Sequence, residues 1–311
     1  MTRCPDEGEL EVDRIHTIWW QASGEPDAFP VVMLHAGPGG RSNPELRSIF
    51  DPRHWRVLQV DQRGCGRSTP FGELADNSTP HLIADLEALR QHLGIERWAL
   101  FGQSWGSALA LAYSQTHPER CAGLLLSAVY LGDREDVRWF FEGPKAWLPD
   151  AHAALAAHVP EAEQADLLAA YHRRVFDPDR WVSVPAARAF MAYDLWLIPL
   201  HPDTERTQDA RSDDEVLAFA RIFLHYLRHT FFLGDGTLLG GMARIAHLPA
   251  RIVMGRYDIA VSLRPAWALH QAWPGSRLRI VPRAAYSPYQ PEMSKALNEE
   301  AAALLLDIQT P

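Results

Sequence analysis

The chain has 311 residues, 47% hydrophobic and 22% charged, which is enough for one large domain, or a domain carrying a big insertion, with a sizeable buried core. Its net charge of −9 argues against nucleic acid and anionic membrane surfaces, which select basic faces. No apolar run reaches the roughly 18 residues of a membrane span and no signal-like stretch opens the chain, so a cytoplasmic protein without membrane contact is expected.

The first β-rich apolar run is VVML at 31–34, followed by the loop His35-Ala36-Gly37-Pro38-Gly39-Gly40. A glycine-proline turn after a strand is commonplace on its own, but such a loop can bring a backbone N–H, that of Gly37, toward a developing oxyanion. The second run, RVLQV at 56–60, leads into Asp61-Gln62-Arg63-Gly64-Cys65-Gly66-Arg67-Ser68, read as a fixed structural turn with Cys65 as a small packed residue. Leu82, Leu86, Leu89 and Leu93 then repeat at helical spacing and Gly94 follows, which predicts an amphipathic helix with a glycine C-cap.

WALF at 98–101 runs directly into Gly102-Gln103-Ser104-Trp105-Gly106, and a helix-like SALALAYSQTH follows and stops at Pro118. This is the strand–turn–helix setting of a nucleophile elbow, in which glycines relieve crowding around a projected serine and the helix N-terminus aims N–H groups at negative charge. Ser104 is the expected nucleophile. The N–H groups of Trp105 and Gly37 are the expected oxyanion hole.

After GLLLSAV at 123–129 the strand rhythm stops until about residue 248, and segments such as AHAALAAHV, EAEQADLLAAYHRRVF and DDEVLAFARIFLHYLRHTFF predict helices. Strands resume with RIVM at 251–254, followed by Gly255-Arg256-Tyr257-Asp258, and RLRIV at 277–281. The alternation predicts an α/β fold with a parallel sheet covered by helices. Residues 1–130 and 242–311 form its core, and residues 131–241 form a helical cap over the carboxyl edge of the sheet, where ligands of such sheets bind. A carboxylate at a strand end after the serine makes Asp258 the natural acid in the order Ser…Asp…His. Three scattered cysteines, Cys4, Cys65 and Cys121, suit neither a disulfide framework nor a CxxC site, so reduced thiols, no metal and no cofactor are expected.

In this order and spacing, HAGPGG, DQRGCGRS, GQSWGSALALAYSQTHPERC and GRYD resemble the proline iminopeptidase branch of the α/β-hydrolase fold, serine peptidases that release N-terminal proline. The resemblance covers almost the whole chain, cap included. It implies a mostly parallel central sheet flanked by helices, an inserted helical cap, and a small-molecule or aminoacyl-type substrate. It also exposes departures. Members of the branch carry Gly-His-Ser after the last strand, where this chain has Ala285-Tyr286-Ser287, while the downstream Pro291-Glu292 still matches. The Trp-Glu pair that holds the substrate's free amino group corresponds to Tyr193-Asp194, and a second carboxylate of the branch aligns with Phe223 in ARIFLHY. A cationic amine against Phe223 would lack its counter-charge, which is expensive. Tyr193, Trp196, Phe223 and the Trp105 ring are therefore expected to favour neutral or aromatic ligands.

A phenol is roughly one part in a thousand ionised at pH 7, so Tyr286 as base costs about 4 kcal/mol. Loss of a triad member costs on the order of 10⁴ to 10⁶ in rate. His225 and His35 are the candidates for a relocated base, although a structural role suits each better. Three readings follow: an enzyme that uses the elbow and oxyanion hole for an elimination, cyclisation, acyl transfer or rearrangement, with Tyr286 as acid or donor; an aminopeptidase or esterase with a compensating base; and a ligand-binding protein without catalysis.

Overall fold

A computed structural model of the chain describes residues 6–198 and 211–310, and Cys4 and residues 199–210 of the expected cap lie outside them. One eight-stranded sheet runs in the order β1-β2-β4-β3-β5-β6-β7-β8. Its strands are β1 (Asp6–Glu11), β2 (Thr17–Ser23), β3 (Phe29–Leu34), β4 (Trp55–Val60), β5 (Trp98–Gln103), β6 (Cys121–Ser127), β7 (Ala250–Gly255) and β8 (Ser276–Val281). The six apolar runs read from sequence are β3 to β8, which are parallel throughout. The antiparallel pair β1 and β2 was not expected. Its outer strand, DEGELE, is largely exposed and acidic, so it lacks the apolar run that marks a buried strand.

Burial follows position in the sheet. β5 and β6 are buried along their whole length, as central parallel strands covered on both faces must be. Helix α1 (Thr79–His92) buries Leu82, Leu86 and Leu89, and Gly94 behind it takes the left-handed conformation at φ +65°. Helix α2 (Trp105–Thr116) leaves the elbow into the core with every residue but the last buried. A side chain on Gly102 would collide with the Gly106 carbonyl, and one on Gly106 with that of Leu34, so the glycines of GQSWG let helix and strands approach this closely.

Between β6 and β7 the described chain contains helices and no strand: α3 (Arg134–Glu142), α4 (Pro149–Ala157), α5 (Leu167–Val175), α6 (Arg180–Leu197), α7 (Asp213–Arg228) and the short α8 (Thr237–Gly240). Helices α5, α6 and α7 pack on one another. Tyr226 of α7 donates to Asn77 Oδ1 (2.9 Å) and meets the Trp105 ring edge-on at 5.1 Å, which seats this helical segment on the core beside the elbow. Helices α9 (Leu263–Ala272) and α10 (Pro291–Gln309) complete the fold, with α10 laying Leu297, Ala301 and Leu304 against β6 and β7.

One helix is shorter than its sequence predicts. The pattern through HTFF ends at Arg228, and Thr230, Phe231 and Phe232 take φ values of 48°, 53° and 56°. The left-handed turn drives the Phe231 ring into the core, stacked on Trp105 at 5.3 Å and edge-on to Tyr130 at 5.0 Å, so tertiary packing overrides the local preference.

Candidate active site

Strand pairing decides which loops meet. β3 lies beside β5 with Leu34 opposite Gly102, so the loop after β3 emerges next to the elbow. On the other side β6, β7 and β8 run in parallel with Gly255 opposite Val281, and the loops carrying Asp258 and Tyr286 emerge together.

Ser104 sits at φ 54°, ψ −125°, a region that a residue with a Cβ occupies only under constraint. Three hydrogen bonds supply it: the Ser104 N–H donates to Ser127 O (3.0 Å), while the Ser107 N–H (2.8 Å) and Ser107 Oγ (2.6 Å) donate to Ser104 O. Helix α2 starts at Trp105, whose N–H belongs to the first turn and has no intrahelical acceptor. Across from it Gly37 takes φ +133°, and a side chain there would lie 2.7 Å from the Gly40 nitrogen, so only glycine fits.

Asp258 is 6% exposed. Its Oδ1 accepts the Val261 N–H (2.9 Å), but Oδ2 is buried with no hydrogen-bond partner among the described residues. Burial lifts this carboxyl to about 7, against the pull of the Val261 and Ala260 N–H groups. The Tyr286 phenol is pushed far above its usual range by burial; the nearby Ser104 hydroxyl works against that rise, and the charges of Asp194 and Asp258 add to it. Burial also lifts Asp194 on α6 to about 7, and Arg211 opposes the shift. Ser104, Asp194 and Tyr286 each keep partial exposure, whereas Asp258 is buried.

A family model described as "alpha/beta hydrolase fold" matches residues 30–286. A proline iminopeptidase of Arabidopsis thaliana is 43% identical over 304 residues, covering 96% of this chain and 80% of the relative, and a probable proline iminopeptidase of Leptolyngbya boryana is 44% identical over 292, covering 93% and 91%. The chain belongs to the proline iminopeptidase family of α/β-hydrolase-fold proteins. The crystal structure of a Mycobacterium smegmatis proline iminopeptidase shares the fold with a TM-score of 0.63 at 20% identity, covering 97% of this chain and 98% of that one.

Within this family framework the structure brings Ser104, Asp194, Asp258 and Tyr286 into one electrostatic neighbourhood. Other expectations need correction. Tyr193, expected to line the ligand site, is 2% exposed, and its hydroxyl donates to the Phe140 carbonyl (2.9 Å), because its position on α6 turns it into the aromatic core. The Trp105 ring is fully buried instead of facing the cleft, with Nε1 donating to Gln62 Oε1 (2.8 Å). Trp196 is partly buried against the apolar core. Phe223 is 8% exposed and packs against Phe140 (5.3 Å), Phe190 (5.5 Å) and Phe219 (5.5 Å), an apolar cluster at the position the family resemblance gives to a carboxylate.

Neither candidate replacement base reaches the nucleophile. His225 Nε2 donates to Asn77 O (3.0 Å) with its ring against Phe232, on the face of α7 turned to the loop before α1. His35 Nε2 accepts the Gln62 N–H (3.1 Å) and Nδ1 donates to Ala36 O (2.8 Å), while burial lowers its basicity. No described histidine is hydrogen-bonded to Ser104. The DQRGCGRS turn is rigid, as expected: Asp61 accepts the N–H groups of Ser42 (2.7 Å) and Arg67 (2.9 Å), and Arg63 forks onto Asp85 (2.5 and 2.6 Å). Cys65 in this turn is a buried thiol pushed up to about 12, far from a reactive thiolate. Among the described residues no group of three or more His, Cys, Asp or Glu could hold a metal ion, and no helix is long and apolar enough to cross a membrane.

Proposed function

We propose that this chain is a proline iminopeptidase-related enzyme that uses its serine elbow and oxyanion hole on a small carbonyl compound without an imidazole base. It carries out an elimination, cyclisation, acyl transfer or rearrangement, and prolyl peptides are hydrolysed slowly. The reading rests on one observation: Asp258 Oδ2, the atom that would orient a histidine, is buried without a hydrogen-bond partner among the described residues, and the phenol of Tyr286 approaches Ser104. The Ser–His–Asp relay of the family thus lacks its middle link.

In this reading the N–H groups of Gly37 and Trp105 receive the substrate's carbonyl oxygen as negative charge develops on it. Tyr286, neutral at pH 7, donates a hydrogen bond or a proton. Asp194, a carboxyl lifted to about 7 and partly exposed, is suited to pass a proton in either direction at neutral pH. The helical segment between β6 and β7 acts as the cap, and Phe223, packed in its apolar interior where the family resemblance places a carboxylate, supplies no counter-charge to a free amine. Ordinary aminopeptidase chemistry is the second reading, favoured by the names of the relatives and by the retained Asp194. It requires an imidazole at Ser104, and His35 and His225 are engaged elsewhere. Treatment with an organophosphonate tests the distinction: without a base Ser104 labels slowly, whereas labelling at the rate of an ordinary serine hydrolase overturns the proposal.

A further inference from the structure

The turn after β4 reaches under the elbow. Gln62 is 5% exposed and makes three hydrogen bonds there: Oε1 accepts the Trp105 indole N–H (2.8 Å), Nε2 donates to the His35 carbonyl (3.3 Å), and the backbone N–H donates to His35 Nε2 (3.1 Å). The last bond sets the tautomer of His35. With Nε2 accepting, Nδ1 carries the proton and donates to the carbonyl of Ala36 (2.8 Å), the residue before Gly37. A continuous, buried chain of bonds therefore joins Trp105 on α2 to the loop after β3, the two elements that carry the N–H groups of the proposed oxyanion hole.

We propose that Gln62 is a positioning residue of the oxyanion hole, tying the Trp105 indole to His35 so that the N–H groups of Trp105 and Gly37 stay at a fixed separation. This rests on the reading of those two N–H groups as the hole. A second feature bears on the same ring. Phe231 stacks on the Trp105 indole at 5.3 Å and 27°, and Tyr226 meets it edge-on at 5.1 Å, so the ring is held by aromatic packing as well as by Gln62. Phe231 is delivered by three consecutive left-handed residues, Thr230, Phe231 and Phe232, none of them glycine. Strain of this kind persists where the surroundings hold it in place, and it gathers at functional sites. The network also accounts for a buried histidine that serves neither as base nor as ligand contact: His35 accepts one bond from the tie and donates another to the loop. The fully satisfied network is rigid in a way that a partly satisfied one is not.

The test is the labelling of Ser104 by an alkyl fluorophosphonate, followed over hours by intact mass and resolved into kinact and KI. Gln62→Met, of similar volume, removes both side-chain bonds. It is expected to lower kinact by about 10- to 100-fold, short of the loss of a whole donor, with KI within about twofold. Trp105→Phe cuts the same link from its other end, keeps a ring between Phe231 and Tyr226, and serves where Gln62→Met does not fold. The double variant should lose no more than the worse single one, because both changes break one link. Labelling of folded Gln62→Met at the native rate, an equal rise in KI in place of the fall in kinact, or losses that multiply would overturn the proposal. Gly37→Ala separates the tie from the hole. If it slows labelling and Gln62→Met does not, the hole stands and the tie is wrong. If neither slows labelling, the reading of the hole fails and takes the tie with it.

Discussion

The two halves of the site around Ser104 are built to different standards. On the β3 side every polar side chain named in the loop and elbow has a partner: Gln62 makes three hydrogen bonds, His35 uses both ring nitrogens, and Ser107 holds the Ser104 carbonyl. On the β7 and β8 side Asp258 has an orphan oxygen, its carboxyl is lifted to about 7, and a neutral phenol meets the serine. Backbone geometry supplies the first half, and it needs no particular side chain beyond glycine at Gly37 and the Gln62–His35–Trp105 tie. The second half depends on one imidazole that would bond to Asp258 and Ser104 at once. A single substitution can therefore disable proton transfer and leave oxyanion binding intact. On the proposed reading such a site would still polarise carbonyl groups.

The largest effect should come from repairing the second half. Ala285→Gly with Tyr286→His offers Asp258 Oδ2 an N–H and Ser104 a base, and should raise 4-nitrophenyl acetate hydrolysis by on the order of 10³-fold. No gain in a folded variant would place the oxyanion half out of register as well and erase the contrast.

The next effect is on stability. A carboxyl lifted from 3.8 to about 7 favours the folded state fully only below the unfolded value, and that stability is lost as pH rises through about 7. The charged form then costs about 4 kcal/mol at pH 8. Asp258→Asn removes this but leaves a buried amide donor unpaired, at about 1–3 kcal/mol. Urea unfolding should find the variant more stable by about 1–3 kcal/mol at pH 8, with the gain gone or reversed at pH 5. A loss at both pH values would mean that Asp258 has a charged partner.

How much of this was legible in the sequence follows from where each feature is encoded. The elbow, the oxyanion loop and the acid sit in contiguous motifs after apolar strands, and pairing of β3 with β5 and of β7 with β8 brings those strand ends together. Tyr286 was legible only as a departure from the family's pattern. Tyr193 was misplaced because which face of α6 turns inward depends on Phe140 of α3, a contact that local spacing does not encode. The turn at Thr230–Phe232 was invisible because no glycine marks it; the core position of Phe231 imposes it. Gln62 was read with a structural turn because its partners, His35 and Trp105, are 27 and 43 residues away.

Two smaller effects sharpen the contrast. Tyr286→Phe keeps the ring and removes one donor, so turnover of the physiological substrate should fall by about tenfold with its binding nearly unchanged. Unchanged turnover in both Tyr286→Phe and Ser104→Ala would remove these residues from the chemistry. By calorimetry, N-acetylprolinamide should bind at least as tightly as prolinamide, because the cluster around Phe223 offers an ammonium no counter-charge. A clear preference for prolinamide would show that Asp194 alone anchors an amine.

The central claim, an intact oxyanion half without an imidazole base, is tested most directly by turnover of L-proline 4-nitroanilide beside the Arabidopsis thaliana relative under identical conditions. Its kcat/KM is expected to lie at least about 10³-fold below that of the relative, in keeping with the loss of one triad member. A kcat/KM within tenfold of the relative would contradict it, since Tyr286 or an unrecognised group would then be serving as an efficient base.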